Sequence, residues 1–214
     1  MNSRDRWWPP HWLTAIAVLH VINLLTHKIA TDTTEEMLWL SNVGLMLAVA
    51  GLFIRSSLFI GTSLTMIGVA HAIWMFDAAC GYTVGLHPLG STTYLRTADP
   101  WHWLATSHHF VLLPGLIFII VRQRFFERRS FLAACAVFAL ISVSSRLLLP
   151  ASVNVNYSHK IFPDVTLATL AEINALPVPL FLLFLNAWVI ATLFLPTTII
   201  VRGRVPVISE SVAG

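Results

Sequence analysis

A serine hydroxyl becomes a nucleophile in a low-dielectric setting when a base stands within hydrogen-bond reach, and Ser41 with His108 or His109 is the pair that this chain offers. Each lies where an apolar stretch begins, and neighbouring helix axes about 8 to 10 Å apart would let such side chains meet. Adjacent helical residues point about 100° apart, so one of the two histidines faces Ser41 while the other orients it or packs elsewhere. Asn42, Asn154, Asn156, Tyr157 and Arg146 are candidate donors to a developing oxyanion or a head group. His71 and Asp77 join them as ionisable groups inside apolar stretches, which default to a functional reading. Asp77 and Arg146 also admit a structural ion pair.

Metal chemistry competes for the same residues, because nine histidines plus Asp77 exceed the usual three protein ligands of a catalytic site. The spacing opposes it: no His-x-x-x-His or Glu-x-x-His pair falls within an apolar stretch, and no metal or cofactor is expected. Haem would need facing axial histidines, such as His20 or His71 with His108.

The elements that must position these residues are membrane helices. With 214 residues, 57% hydrophobic and 11% charged, the chain lies far from the roughly 25% charged residues of soluble domains. A net charge of +3 without a basic cluster excludes a nucleic-acid surface. Six stretches approach the roughly 20 apolar residues that a bilayer requires: 12–26, 37–54, 58–80, 104–121, 130–149 and 178–201. The first follows Arg4 and Arg6 like a signal peptide, but no small-x-small cleavage site follows it, so it is read as retained. Cys80 and Cys135 fall near opposite faces, too far apart to bridge.

Six spans place both termini on one face. Nine Lys/Arg residues lie on the terminal side (Arg4, Arg6, Arg55, Arg122, Arg124, Arg128, Arg129, Arg202, Arg204) against Lys28, Arg96, Lys160 and, near a span end, Arg146. The positive-inside rule then puts both termini in the cytoplasm. The expected fold is all-α: one polytopic domain, an antiparallel bundle of six transmembrane helices, with a flexible tail at 205–214. Tryptophans 7, 8 and 12 at the inner face and 39, 101 and 103 at the outer read as interfacial anchors, and Gly44, Ala48 and Gly51 as a close-packing face.

Sequence position converts into depth in this frame. His71, Asp77, Ser144, Ser145 and Arg146 fall in outer halves of spans, with Ser41, Asn42, Ser107, His108 and His109 just beneath the outer face. His20 lies near mid-depth and His27 at the rim. Long outer loops add His87, His102, Asn154, Asn156, Tyr157 and His159. A polar outer half, an inner half nearly bare of polar groups, and a pocket open toward the outer leaflet are the result.

Trp39-Leu40-Ser41-Asn42 opening span two, Thr106-Ser107-His108-His109 opening span four and Asn154-Val155-Asn156-Tyr157 after span five, in a six-helix frame, resemble a group of membrane proteins. The group contains the bacterial YwaF-like proteins, the eukaryotic transmembrane cysteine-histidine acyltransferases and the androgen-induced threonine hydrolases of branched fatty-acid esters. Ser41 stands where those relatives carry a Cys or Thr, His108 matches their histidine with His109 adjacent, and Asn156-Tyr157 matches the YwaF-like Asn-Tyr. The resemblance implies an acyl ester as substrate, its tails between helices and its carbonyl at the polar layer.

The leading expectation is therefore a lipid hydrolase or acyltransferase of a bacterial inner membrane, using Ser41 with His108 and His109, and partnered by membrane lipid or a lipid-like ligand. Two further classes are a non-catalytic protein that binds or transports a lipid or small molecule, and a histidine-ligated metal or haem protein.

Overall fold

The computed structural model describes residues 7–162 and 167–205, so the expected tail at 205–214 lies outside the described residues apart from Val205. Every regular element among the described residues is helical. In chain order these are α1 (His11–Ala30), a 3-10 turn at Thr34–Leu38, α2 (Leu40–Phe53), α3 (Ser57–Val84), α4 (Pro100–Thr106), α5 (His108–Gln123), α6 (Ser130–Leu148), α7 (Ala168–Asn174), α8 (Val178–Val189) and α9 (Leu195–Arg204). A second 3-10 turn, Thr93–Arg96, precedes α4 and a third, Val155–Tyr157, follows α6.

Five helical units are long and apolar enough to cross a membrane: α1, α3, α4–α5 taken together, α6, and α8–α9 taken together. That makes the chain an integral, multi-pass membrane protein. The stretch expected at 37–54 differs. Met37 and Leu38 belong to the 3-10 turn, and the helix that follows, α2, has 14 residues, about 21 Å at 1.5 Å per residue against a hydrocarbon core of about 30 Å.

Local chemistry sets the helix ends. Ser56 accepts a hydrogen bond from the Phe59 amide at 3.4 Å and starts α3, which ends at Gly85 in the left-handed region (φ 72°) that glycine enters freely. Asp99 caps α4 by accepting from the His102 amide at 2.7 Å, with Pro100 in the first turn. Pro196 has no amide hydrogen and crowds the carbonyl four residues back. The chain widens just there into a π turn at Ile190–Phe194 that joins α8 to α9.

Helix α3 is the mast. Of its most apolar stretch 61% is buried, against 17% in α1. Its neighbours approach at backbone distance through glycines. Gly44 of α2 lies against Ile67, and Ser63 Oγ donates to the Gly44 carbonyl at 2.7 Å. Gly61 faces Ser130, whose Oγ donates to the Leu58 carbonyl at 3.3 Å. Gly68 faces Thr197, whose Oγ1 accepts from the Val69 amide at 3.1 Å and donates to the Leu193 carbonyl at 2.8 Å. A Cβ at any of these three glycines would collide with its neighbour, so the contacts depend on small residues and interhelical hydroxyls.

These contacts correct the expectation of a bare inner half. Thr62, Ser63, Thr65, Gln123, Ser130, Thr197 and Thr198 are all buried, most of them toward the end that carries the 54–56 and 124–129 turns. They escape a search for ionisable groups because hydroxyls and amides are uncharged.

Replacing Gly68 by Val should cost roughly 1–3 kcal/mol through overpacking against Thr197, seen as earlier thermal unfolding in detergent. Gly115→Ala, where an added methyl meets nothing within 4 Å, should leave the transition unchanged or slightly higher.

Candidate functional site

Two chambers meet at the end of the bundle opposite those turns. A polar chamber of ≈ 530 Å³ is walled by Lys28, Glu36, His27, His102 and His108. An apolar one of ≈ 210 Å³ is walled by Ile67, His71, Phe138, Val189 and Leu193. Trp39, Ser41, Trp74, His109 and Tyr157 line both and form the junction. Ser41 reaches it from the first turn of α2, where amides lack acceptors inside the helix. The amide of Leu40 beside it donates to Asn156 Oδ1 at 2.9 Å.

Three imidazoles and an indole form one aromatic group there. The His109 ring lies 4.3 Å from Trp74 in a stacked arrangement, 4.6 Å from His71 and 4.1 Å from His108. His108 Nδ1 and His109 Nδ1 each lie 2.9 Å from a backbone carbonyl, of Ala105 and Thr106 respectively. Both rings therefore carry their proton on Nδ1 and keep a lone pair on Nε2, the tautomer of a base. His108 Nε2 is sealed in without a partner, whereas His109 Nε2, also unbonded among the described residues, is not enclosed. His71 is buried with both ring nitrogens unpaired.

Other candidates hold backbone instead. Asp77 is fully buried and forms no ion pair with Arg146: its carboxylate accepts from the Leu89 amide (2.7 Å), Ser91 Oγ (3.0 Å) and the Thr92 amide and hydroxyl (2.9 and 2.7 Å). It thereby clamps the 85–96 loop, from which Ser91 and Tyr94 reach the polar chamber. Arg146 donates to the His159 carbonyl at 3.1 Å and lies over the Phe181 ring. Asn154 Oδ1 accepts from the amides of His159 and Lys160. Asn156 also donates to the Leu38 carbonyl at 2.7 Å, so it fixes both sides of the turn into α2, and Asn42 donates to the Glu36 carbonyl at 2.8 Å. Asn42 and Asn156 border the chambers while Asp77, Arg146 and Asn154 brace loop backbone, and each commits polar atoms to that framework.

Tyr157 remains available. Its backbone, like that of Asn154 and Asn156, is left-handed (φ 60°, 43° and 51°), a strained state for a tyrosine that the surrounding contacts must hold. Burial pushes its phenol pKa up, and that of Tyr94 likewise, so both stay neutral hydrogen-bond donors near pH 7.

Ser41 makes no side-chain hydrogen bond among the described residues, so the expected Ser–His pair shares a cavity without a formed bond. Catalytic hydrogen bonds of empty sites often tighten only around substrate. The haem reading loses ground because the His109 ring, 4.6 Å from His71 and 4.1 Å from His108, sits against the gap between those two rings where a macrocycle would have to lie. Among the described residues no three His, Cys, Asp or Glu side chains converge as metal ligands.

No family model, curated protein or solved structure matches the chain.

Several residues of the chamber walls have no catalytic or binding signature in the sequence. Trp74 passes for an ordinary apolar residue of a span. Trp39, expected as an interfacial anchor, is a chamber wall. Lys28 and Glu36 pair across the α1–α2 connection at the polar chamber. Their spacing of eight residues across a turn has no helical signature.

Because Asp77 clamps a loop, Asp77→Ala should leave the bundle folded but expose the 85–96 segment. Limited trypsin digestion should then cut after Arg96 several-fold faster than in the unsubstituted protein. An unchanged digestion rate would show that the clamp is dispensable.

Proposed function

We propose that this protein is a membrane-embedded lipid hydrolase or acyltransferase acting on acyl esters, with Ser41 as nucleophile and His109 as general base. The observation that carries this reading is the junction: among the described residues the one serine that lines both chambers shares that border with an imidazole whose Nε2 is unbonded and open. An amphiphile seated across it would place its acyl chain among Ile67, Phe138 and Leu193 and its polar part near Lys28 and Glu36, leaving the ester carbonyl beside Ser41. His108, expected as the first choice of base, lines only the polar chamber and has its Nε2 sealed. It becomes a packing neighbour of His109. The resemblance to the six-helix acyltransferases and threonine hydrolases agrees with a nucleophile opening the second span.

In the acylation step the Ser41 Oγ–H proton passes to His109 Nε2 while the Oγ electron pair forms the bond to the carbonyl carbon. The Tyr157 hydroxyl and the amide of Ser41 itself, which has no acceptor among the described residues while those of Leu40, Asn42 and Val43 are bonded, are the donors available to the oxyanion. Collapse expels the alcohol, which takes the proton back from the imidazolium. Water or a second alcohol then releases the acyl group by the reverse sequence.

The same reading places both termini in the cytoplasm, on the count of nine basic residues against four, with α2 as a short sixth pass and the chambers toward the exoplasmic face of a bacterial inner membrane. A second reading, amphiphile binding without chemistry, is favoured by one observation: Ser41 has no bonded partner among the described residues.

An alkyl fluorophosphonate separates the two. Purified protein should label on Ser41, labelling should vanish in Ser41→Ala, and His109→Ala should slow it about a hundredfold or more, with a smaller loss in His108→Ala. Absence of label, with a fluorescent acyl lipid still bound, establishes the binding reading instead.

A further inference from the structure

His109 lacks the acidic partner that usually steadies a catalytic imidazole. No carboxylate contacts it among the described residues. The ionisable groups that face it are His71 from α3, His108 beside it and Tyr157 across the junction, with Lys28, Glu36, Tyr94, His27 and His102 also on the polar chamber. None of these supplies a negative charge next to a ring that must become cationic when it accepts a proton. The face of an indole does: centroids 4.3 Å apart and planes 23° from parallel put the Trp74 π-cloud directly on the His109 ring. A cation over an indole is stabilised by about 0.5 kcal/mol when exposed and about 2 or more when desolvated.

Trp74 is itself held rigidly. It is nearly buried, meets Phe110 edge-on at 5.2 Å, and packs with Ala78 and Leu95. Leu95 belongs to the turn that closes the loop clamped by Asp77. The ring of His71 lies on His109 as well, at 4.6 Å and 30°. His109 is therefore layered with two rings and tied through Nδ1 to the Thr106 carbonyl, which directs Nε2 away from that carbonyl.

Resting on the catalytic reading above, we propose that Trp74 is the positioning residue of this site. It fixes the plane of the His109 ring, and its π face stabilises the imidazolium formed when Ser41 Oγ–H gives its proton to Nε2. It thus does the work that a carboxylate does in a Ser-His-Asp arrangement, without placing a second charge in the membrane interior.

The test uses the full-length protein in detergent and follows the rate of Ser41 labelling by an alkyl fluorophosphonate from pH 5 to 9. Trp74→Leu should lower the plateau rate about 2- to 30-fold, the conversion of a lost cation–π contact, and should move the half-maximal rate to lower pH. Trp74→Phe, which keeps a π face, should recover most of the rate and the wild-type half-maximum. Equal losses in both variants with an unmoved half-maximum would reduce Trp74 to a packing residue and overturn the proposal, as would a Leu variant that labels like wild type. Should wild-type protein take no label, the Ser41 reading itself fails. Carbethoxylation of His109 by diethyl pyrocarbonate, read by mass spectrometry, then decides for Trp74 alone. A half-maximum of modification shifted to lower pH in Trp74→Leu supports its role, and an unmoved one overturns it.

Discussion

Everything in this bundle depends on α3 being approached at backbone distance. Apolar side chains gain little from leaving lipid for a helix interface, so association needs close van der Waals packing and interhelical hydrogen bonds. Gly44, Gly61 and Gly68 supply the first, and Ser63, Ser130 and Thr197 the second. With α3 locked at Gly68, a row at intervals of three residues drifts around the helix toward the loop end. Gly68 meets α9, His71 and Trp74 meet the histidines of α5, and Asp77 ends beneath the 85–96 loop. One helix thus fixes the scaffold, the aromatic wall and the loop clamp together.

The accounting of polar atoms separates framework from site. Buried polar groups almost always find partners: Asn42, Asn154, Asn156 and Arg146 find theirs in backbone, and Asp77 in two loop amides and two loop hydroxyls. Asn42 and Asn156 border the chambers, and Asp77, Arg146 and Asn154 pin the loops around them. Lining the apolar chamber without a partner among the described residues are both ring nitrogens of His71, Nε2 of His109, the Ser41 hydroxyl and the Tyr157 phenol. Unpaired polar atoms at the wall of an otherwise apolar cavity are where a ligand's own polar atoms are needed.

Hydropathy made the membrane helices legible, because a run of apolar residues has no other reading at that length. Convergence of Ser41, His71, His108, His109 and Tyr157 was legible too, through depth: positions at equal distance from one face must share a layer if the helices alternate. The roles within that layer were not. Nothing in the type of Asp77 or Arg146 distinguishes a substrate contact from a clamp on a loop, since both need a charged group at the same depth. Hydropathy overstates the length of α2 because the apolar stretch begins at Met37 and Leu38, inside the preceding 3-10 turn. Trp74 stayed invisible because an aromatic residue in a span has the same hydropathy whether it faces lipid, core or an imidazole.

The account stands or falls on the apolar chamber receiving an acyl chain, and a photoactivatable diazirine fatty acyl ester measures that directly. After irradiation of the membrane-embedded protein and peptide mapping, the adducts should lie on Ile67, Phe138 and Leu193 and be displaced by unlabelled ester. Adducts confined to outward-facing residues such as Ile16, Leu140 and Leu183, with no displacement, would contradict it.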